Sequence, residues 1–249
     1  MRLPAWLFSV MLCGGLNAQV AVVNGASFRI DQAVTGGSWA AAFGAFAGVS
    51  DTLAAGFPLP ATLGGVTVTV GGVESPLYFV SSRQINFLVP YQLTPGLHPV
   101  QVKTPGGVQA GTVRIMSAAP GIFIKDTGQQ QPPKGAILNQ DGTENTSSNP
   151  VRRGQVISIF ATGPGRLDRE LQDGAQAPGE PLVRTRSTPQ VFIGGVEAPV
   201  QFSGLAPGFA GLWQINAFVP EKAFLAGRTP VQVFMDGVDS NEVTIFVTP

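Results

Sequence analysis

A two-part motif occurs twice in this chain, and it constrains the fold more than any other feature. Gly71-Gly72-Val73-Glu74-Ser75-Pro76 is followed by Gln84-Ile85-Asn86-Phe87-Leu88-Val89-Pro90. Downstream, Gly194-Gly195-Val196-Glu197-Ala198-Pro199 precedes Gln214-Ile215-Asn216-Ala217-Phe218-Val219-Pro220. A third echo pairs Pro99-Val100-Gln101-Val102 with Pro230-Val231-Gln232-Val233. The pattern is that of a tandem duplication. Its register is uneven: Gly71 to Gly194 is a shift of 123 residues and Gln84 to Gln214 one of 130, so the second copy carries seven extra residues. They fall within Ser203–Gly211, an apolar, glycine-rich loop, and loops are where binding functions are grafted onto a scaffold.

Within each copy the residues alternate. In Val66-Thr67-Val68-Thr69-Val70 the valines share one face and the threonines the other, the pattern of a half-buried strand. Gly71-Gly72 suits a tight hairpin turn, and Leu77–Val80 is the return strand. Gln84–Val89 places Ile85, Phe87 and Val89 on one face, and Pro90 ends it. The chain holds 32 glycines and 21 prolines, yet 44% of its residues are hydrophobic, too many for disorder. The reading is all-β: two tandem Ig-like β-sandwich domains at 20–118 and 124–249, joined by a linker at 119–123. Each half is expected to fold alone. Ala40-Ala41-Ala42 is poor strand material by propensity. Lys125–Lys134 reads as an exposed loop, and the charged stretch Arg166–Arg186 as a solvated one.

Residues 1–18 read as a signal peptide: a positive start at Arg2, an apolar run from Leu3 to Leu16 too short to span a bilayer, and a cut after Ala18. The single cysteine, Cys13, lies in that run, so the mature chain has no disulfide or thiolate chemistry. No later segment is apolar for about 18 residues, so no transmembrane anchor is expected in the mature chain. Fifteen basic residues balance fifteen acidic ones and only 12% of the chain is charged, which argues against nucleic acid as a partner.

Taken together, several motifs resemble the uncharacterised repeat family abundant in Acidobacteria, often called the Solibacter C-terminal domain. They are Asn24-Gly25-Ala26-Ser27-Phe28, Leu63-Gly64-Gly65-Val66, Arg83-Gln84-Ile85-Asn86-Phe87, Ala119-Pro120-Gly121-Ile122-Phe123, Ala136–Gly142, Ser148-Asn149-Pro150 and Gly154–Gly163. The resemblance covers almost the whole mature chain. It implies an exported protein with Ig-like, IPT/TIG-type sandwiches, and it carries no established activity or site residues. The chain departs from the pattern at Ser82-Arg83 and at Ala40–Ala42.

Catalytic constellations are sparse. His98 is the sole histidine and reads as a turn residue, its counterpart being Thr229. Glu74 and Glu197 could form a carboxylate pair for glycoside hydrolysis, but equivalent positions in two repeats put them on separate sandwiches. Asn139–Asn145 alternates oxygen-bearing residues as an acidic calcium loop does, with spacing unlike an EF-hand. Asn145-Thr146-Ser147 is a glycosylation triplet. Gln84, Asn86, Gln214 and Asn216 offer either polar strips for a partner or amides that satisfy the neighbouring Gly-Gly-Val turns. The repetition favours the second reading. Trp213 is expected in the core and Phe209 outside it.

The functional expectation is a non-catalytic exported protein, extracellular, periplasmic or at the cell surface, that contacts a protein or polysaccharide partner. Neither cofactor nor metal is expected. The candidate contact residues are Leu205, Pro207 and Phe209 in the insertion. The alternative is a carbohydrate-binding module; a pilus-type chaperone would need a basic cleft not evident in the sequence.

Overall fold

A computed structural model describes residues 19–30, 32–126, 131–169, 171–222 and 224–249. The expected signal peptide, 1–18, lies outside the described residues. The described residues contain no helix, and none that could cross a membrane as one.

The first half contributes β1 (Gln19–Asn24), β2 (Trp39–Phe43), β3 (Thr52–Leu53), β4 (Thr62–Leu63), β5 (Val66–Val70), β6 (Val73–Glu74), β7 (Leu77–Val80), β8 (Gln84–Leu88), β9 (Gly96–Thr104) and β10 (Gly107–Ile115). They pair in the order β3-β7-β8-β2-β1-β10-β9-β5-β4, with β6 on β5. β1 is the seam. It runs antiparallel to β2 and parallel to β10, and so joins the two layers of the sandwich. The alternating valines of β5, together with Ile85, Phe87 and Val89, are buried in a core with Leu77, Val100, Val102 and Ile115. β2, weak by propensity, lies between β1 and β8, and all three of its alanines are buried. Its position in the sheet overrides the poor local preference.

The second half contributes β11 (Gly121–Ile122), β12 (Ile124–Asp126), β13 (Lys134–Gly135), β14 (Ile137–Leu138), β15 (Val151–Arg152), β16 (Val156–Thr162), β17 (Gln190–Ile193), β18 (Val196–Ala198), β19 (Val200–Leu205), β20 (Trp213–Phe218), β21 (Gly227–Met235), β22 (Val238–Asp239) and β23 (Val243–Thr248). Here the seam is split: β13 runs parallel to β23 while β14 pairs with β16, leaving two separate sheets around one core. The segment read as a loop at Lys125–Lys134 is anchored at both ends, because β12 pairs with β13. Trp213 is fully buried, and its indole N–H donates to Ser203 Oγ at 2.9 Å.

The repeated Gly-Gly turns adopt positive φ at all four glycines, 59° and 83° at Gly71 and Gly72 and 58° and 77° at Gly194 and Gly195. This is the geometry of a hairpin turn that only glycine takes without strain. The copies differ at the last core position of the motif. Ser75 is buried with its hydroxyl unpartnered, whereas its counterpart Ala198 packs in the second core. Ser75→Ala is therefore expected to stabilise the protein by about 1 kcal/mol in urea denaturation, because it removes an unsatisfied buried hydroxyl.

Candidate functional site

The seven-residue insertion lengthens the hairpin between β19 and β20. In the first sandwich three residues, Ser81–Arg83, join the equivalent strands, while in the second residues 206–212 do so. The long loop is tied at its base, where Ala206 N donates to Leu212 O. It is tied again to the 166–186 segment: Gly208 N donates to Ala177 O and Ala177 N to Phe209 O, both at 2.9 Å.

The segment 166–186 is thus not a freely solvated loop. Arg184 bridges to Gly204, Leu205 N donates to Val183 O and Thr185 N to Ser203 O, so the segment covers the free edge of β19. An uncovered edge strand is open to pairing with other chains. Val183 and Ala177 are buried with Leu205, and Leu167 and Leu171 pack against them. Arg184 stacks its guanidinium 5.0 Å from the centroid of the Phe202 ring.

Both pieces also grip the first sandwich. Trp39, on β2, is the hub. Its backbone N–H donates to Thr162 Oγ1 at 2.8 Å and its indole N–H to Ala210 O at 3.0 Å. Ala210 joins Leu88, Leu59 and Ala54 in a small apolar cluster, flanked by Trp39, Phe57 and Leu63. Gly211 sits so close to this surface that a Cβ there would lie 2.5 Å from Leu88 Cδ2 and 2.8 Å from Gly37 O. From the 166–186 segment, Gly174 O accepts from Leu59 N and Asp173 Oδ1 from Tyr91 N, both at 2.9 Å. Asn24 completes the junction from the linker side, donating to Ala119 O at 3.0 Å.

Asp173 is placed at a cost. Burial raises its carboxyl above the ordinary carboxylate range, and the hydrogen bond from Tyr91 N opposes that only in part. An acid whose pKa is raised on folding contributes stability that is complete below its unfolded value. That contribution is lost as pH rises through the folded value. Asp173→Asn keeps an acceptor for Tyr91 N and removes the charge. The variant is expected to melt higher than the parent at pH 7, with the gap closing below about pH 4, where the parent is protonated too. A lower melting temperature for the variant at pH 7 would refute this.

The candidate contact residues separate into two kinds. Leu205 is buried in the edge cluster, 1% exposed, and its side chain supports the loop without reaching the surface. Pro207 and Phe209 are exposed at the tip, Phe209 by 52%.

The repeated amides form a pattern the sequence reading did not foresee. They do not serve the Gly-Gly turns, whose first N–H groups already donate to Pro99 O and Pro230 O. Instead Gln84 Nε2 donates to Asn86 Oδ1 at 2.8 Å, and Gln214 Nε2 to Asn216 Oδ1 at 2.9 Å. Each pair lies on the outer face of its sheet, in register with half-buried phenylalanines. Phe43 stands opposite Gln84 and Phe79 opposite Asn86 in the first sandwich, and Phe160 opposite Gln214 and Phe202 opposite Asn216 in the second.

The other candidates resolve into structural roles. His98 lies within β9, not in a turn, with Nε2 2.8 Å from Thr94 O. Glu74 and Glu197 are exposed on β6 and β18, one per sandwich. In the loop at 139–149, Asp141 Oδ1 accepts from Thr143 N and Oγ1, which holds its carboxyl below the usual range, and Glu144 pairs with Lys134 and Lys125. Its acidic oxygens are thus engaged by donors of this chain. Among the described residues no group of three or more His, Cys, Asp or Glu could hold a metal. Asn145, of the glycosylation triplet, is buried and both ends of its amide are engaged.

Residues 55–115, most of the first sandwich, match the IPT/TIG domain family. The chain thus contains an Ig-like, TIG-type domain, and with the strand pairing above it is a tandem of Ig-like β-sandwiches. No curated protein matches it. Among solved structures it is similar to SGBP-B of the Bacteroides ovatus mixed-linkage glucan utilization locus, in complex with a mixed-linkage heptasaccharide. The identity is 11% and the TM-score 0.35, covering 86% of this chain and 43% of that one. It is also similar to SGBP-B from a complex xyloglucan utilization locus in Bacteroides uniformis, with 11% identity, a TM-score of 0.29 and coverage of 92% and 48%. The titin Ig tandem A164–A165 matches at 8% identity and a TM-score of 0.23, covering 86% of this chain and 89% of that one. The chain spans less than half the length of the two SGBP-B chains.

Proposed function

We propose that the chain is a non-catalytic, exported interaction module of the Solibacter C-terminal type, and that it meets a protein or polysaccharide partner at the tip formed by Pro207 and Phe209. The observation that carries this reading is a half-exposed phenylalanine on a loop braced by backbone hydrogen bonds on both sides. A large apolar ring held out by a rigid support loses little entropy on binding and suits an interface anchor. Leu205 belongs to the support. Export follows from the apolar leader, with the mature chain starting at Gln19.

The test is affinity capture from envelope and culture fractions with the parent and with Phe209→Ser. Deleting 204–211 would not serve, because Ala210 and Gly211 pack against the first sandwich. The partner is expected to be captured by the parent and lost from Phe209→Ser, whose melting temperature stays within about 2 °C, as for a surface change. An unchanged set of captured molecules, or a secreted form retaining Met1, would count against the reading.

The carbohydrate-binding alternative draws on the outer sheet faces. Once Gln84 donates to Asn86, the Gln84 carbonyl and the Asn86 NH₂ remain as an acceptor and a donor beside the Phe43 and Phe79 rings. That combination suits adjacent sugar hydroxyls and a C–H face. Glycan-array binding abolished by Asn86→Ala but retained by Phe209→Ser would favour it over the tip.

A further inference from the structure

A cavity lies between the two sandwiches, in a different place from the tip and the amide rows. Its volume is about 550 Å³, within the range of small-ligand sites. One wall comes from the first sandwich at Thr35-Gly36, Tyr91–Pro95 and Met116-Ser117. The other comes from the 166–186 segment and carries Arg166, Arg169 and Arg186. Three of the chain's fifteen basic residues therefore line one cleft, and among the described residues no aspartate or glutamate lines it with them.

The arginines are poorly compensated. Among the described residues, the only carboxylate paired with any of them is Asp168, 3.7 Å from Arg169 Nε. Asp173, nearby in sequence, accepts from Tyr91 N. Arg186 N donates to Arg166 O, next to the bridge between Leu167 and Thr185, so these two arginines are cross-strand neighbours. Like charges placed across a ladder are destabilising. Arg186 is also held in place: its Nε donates to Leu167 O at 2.9 Å. A cleft that gathers three guanidinium groups, two of them without a carboxylate partner among the described residues, is complementary to a ligand that brings its own negative charge.

We infer that this cleft binds an acidic saccharide, a short stretch of sugar carrying uronate-type carboxylates. The arginine forks match carboxylates bidentately. The amide of Gln92 and the hydroxyls of Thr94 and Ser117 suit ring hydroxyls, and the leucines at 93, 167 and 171 suit the C–H faces of a sugar. The cavity is too large to be filled by an inorganic oxyanion alone. Three cations in one pocket fall short of the extended basic track that nucleic acid requires. The inference needs neither the Phe209 tip nor the outer-face amides.

The test is calorimetric titration of the full chain with trigalacturonate, its neutral trimethyl ester and an N-acetylated tripeptide ending in a free carboxylate. Saturable binding of trigalacturonate is expected, weakening as sodium chloride is raised. The ester and the Arg166→Gln variant should each bind at least about tenfold more weakly, the size of effect that follows from losing a charge-assisted hydrogen bond. Arg152→Gln, on β15 outside the cleft, should bind like the parent, and Arg186→Lys provides a second probe that keeps the charge while removing the fork. Thermal melts of all variants check that they are folded. Absence of saturable binding, equal binding of the ester, an equal loss in Arg152→Gln, or preference for the tripeptide would each overturn the assignment.

Discussion

Trp39→Ala is expected to lower stability by about 3 kcal/mol, near the bottom of the range for removing a large aromatic because the ring is only half-buried. For a chain of this size that corresponds to a fall in melting temperature of roughly 6–12 °C. The substitution removes the indole from the cluster of Leu59, Leu88 and Ala210, its edge contact with Tyr78, whose ring centroid is 5.4 Å away, and the hydrogen bond to Ala210 O. The backbone bond from Trp39 N to Thr162 survives, since it needs no side chain. Two further measurements locate the effect. Trp39→Phe keeps most of the packing and loses only the N–H, so it should cost about 1 kcal/mol. Calorimetry of Trp39→Ala should show one cooperative transition broadening into two, because the indole is one of the contacts that tie the two separately cored sandwiches together. If Trp39→Ala melts with the parent as a single transition, the junction is held by the backbone contacts alone.

Asn145→Ala is the second large effect, at about 3–4 kcal/mol, because it strands several buried polar groups at once. The Asn145 side chain donates to Phe246 O and to Asn139 Oδ1, both at 2.9 Å, and accepts from Phe246 N at 2.7 Å. It thereby imitates a strand alongside β23 and docks the 139–149 loop onto the second sandwich. Replacing it leaves the N–H and C=O of Phe246 and the Asn139 carbonyl without partners. Asn145→Asp restores the acceptor but places an oxygen against two other oxygens, so it should rescue little. Urea denaturation distinguishes these outcomes. A loss below about 1 kcal/mol for the alanine variant would mean that water replaces the amide and the loop is docked by other contacts.

These two residues also show what sequence patterning could and could not reveal. Asn145 stands in a polar run that looks like an oxygen-rich surface loop and contains a glycosylation triplet. Its burial depends on Phe246, 101 residues away, and no local pattern reports such a pairing. Trp39 begins a strand whose alanines have low β-propensity, yet the strand lies between β1 and β8, and small side chains fit a position buried on both faces. Likewise the arginines at 166, 169 and 186 look like an ordinary charged loop. Their convergence follows from the backbone bond between Arg186 and Arg166 and from the approach of the first sandwich. The one sequence-level hint was concentration: four arginines, at 166, 169, 184 and 186, within 21 residues of a chain with only fifteen basic residues in all.

The sequence by itself determined the repeat, the strand class and the two cores. Alternation of apolar residues and glycine-bearing turns are local properties, and each copy carries its own full set. It also located the difference between the copies, the seven added residues. Only the tertiary structure decided what those residues do. Ala210 and Gly211 close against Trp39 and Leu88, Leu205 seals an edge, and Pro207, Gly208 and Phe209 face outward. The physical reason is that a loop's role depends on the surface it meets, and that surface belongs to the other half of the chain.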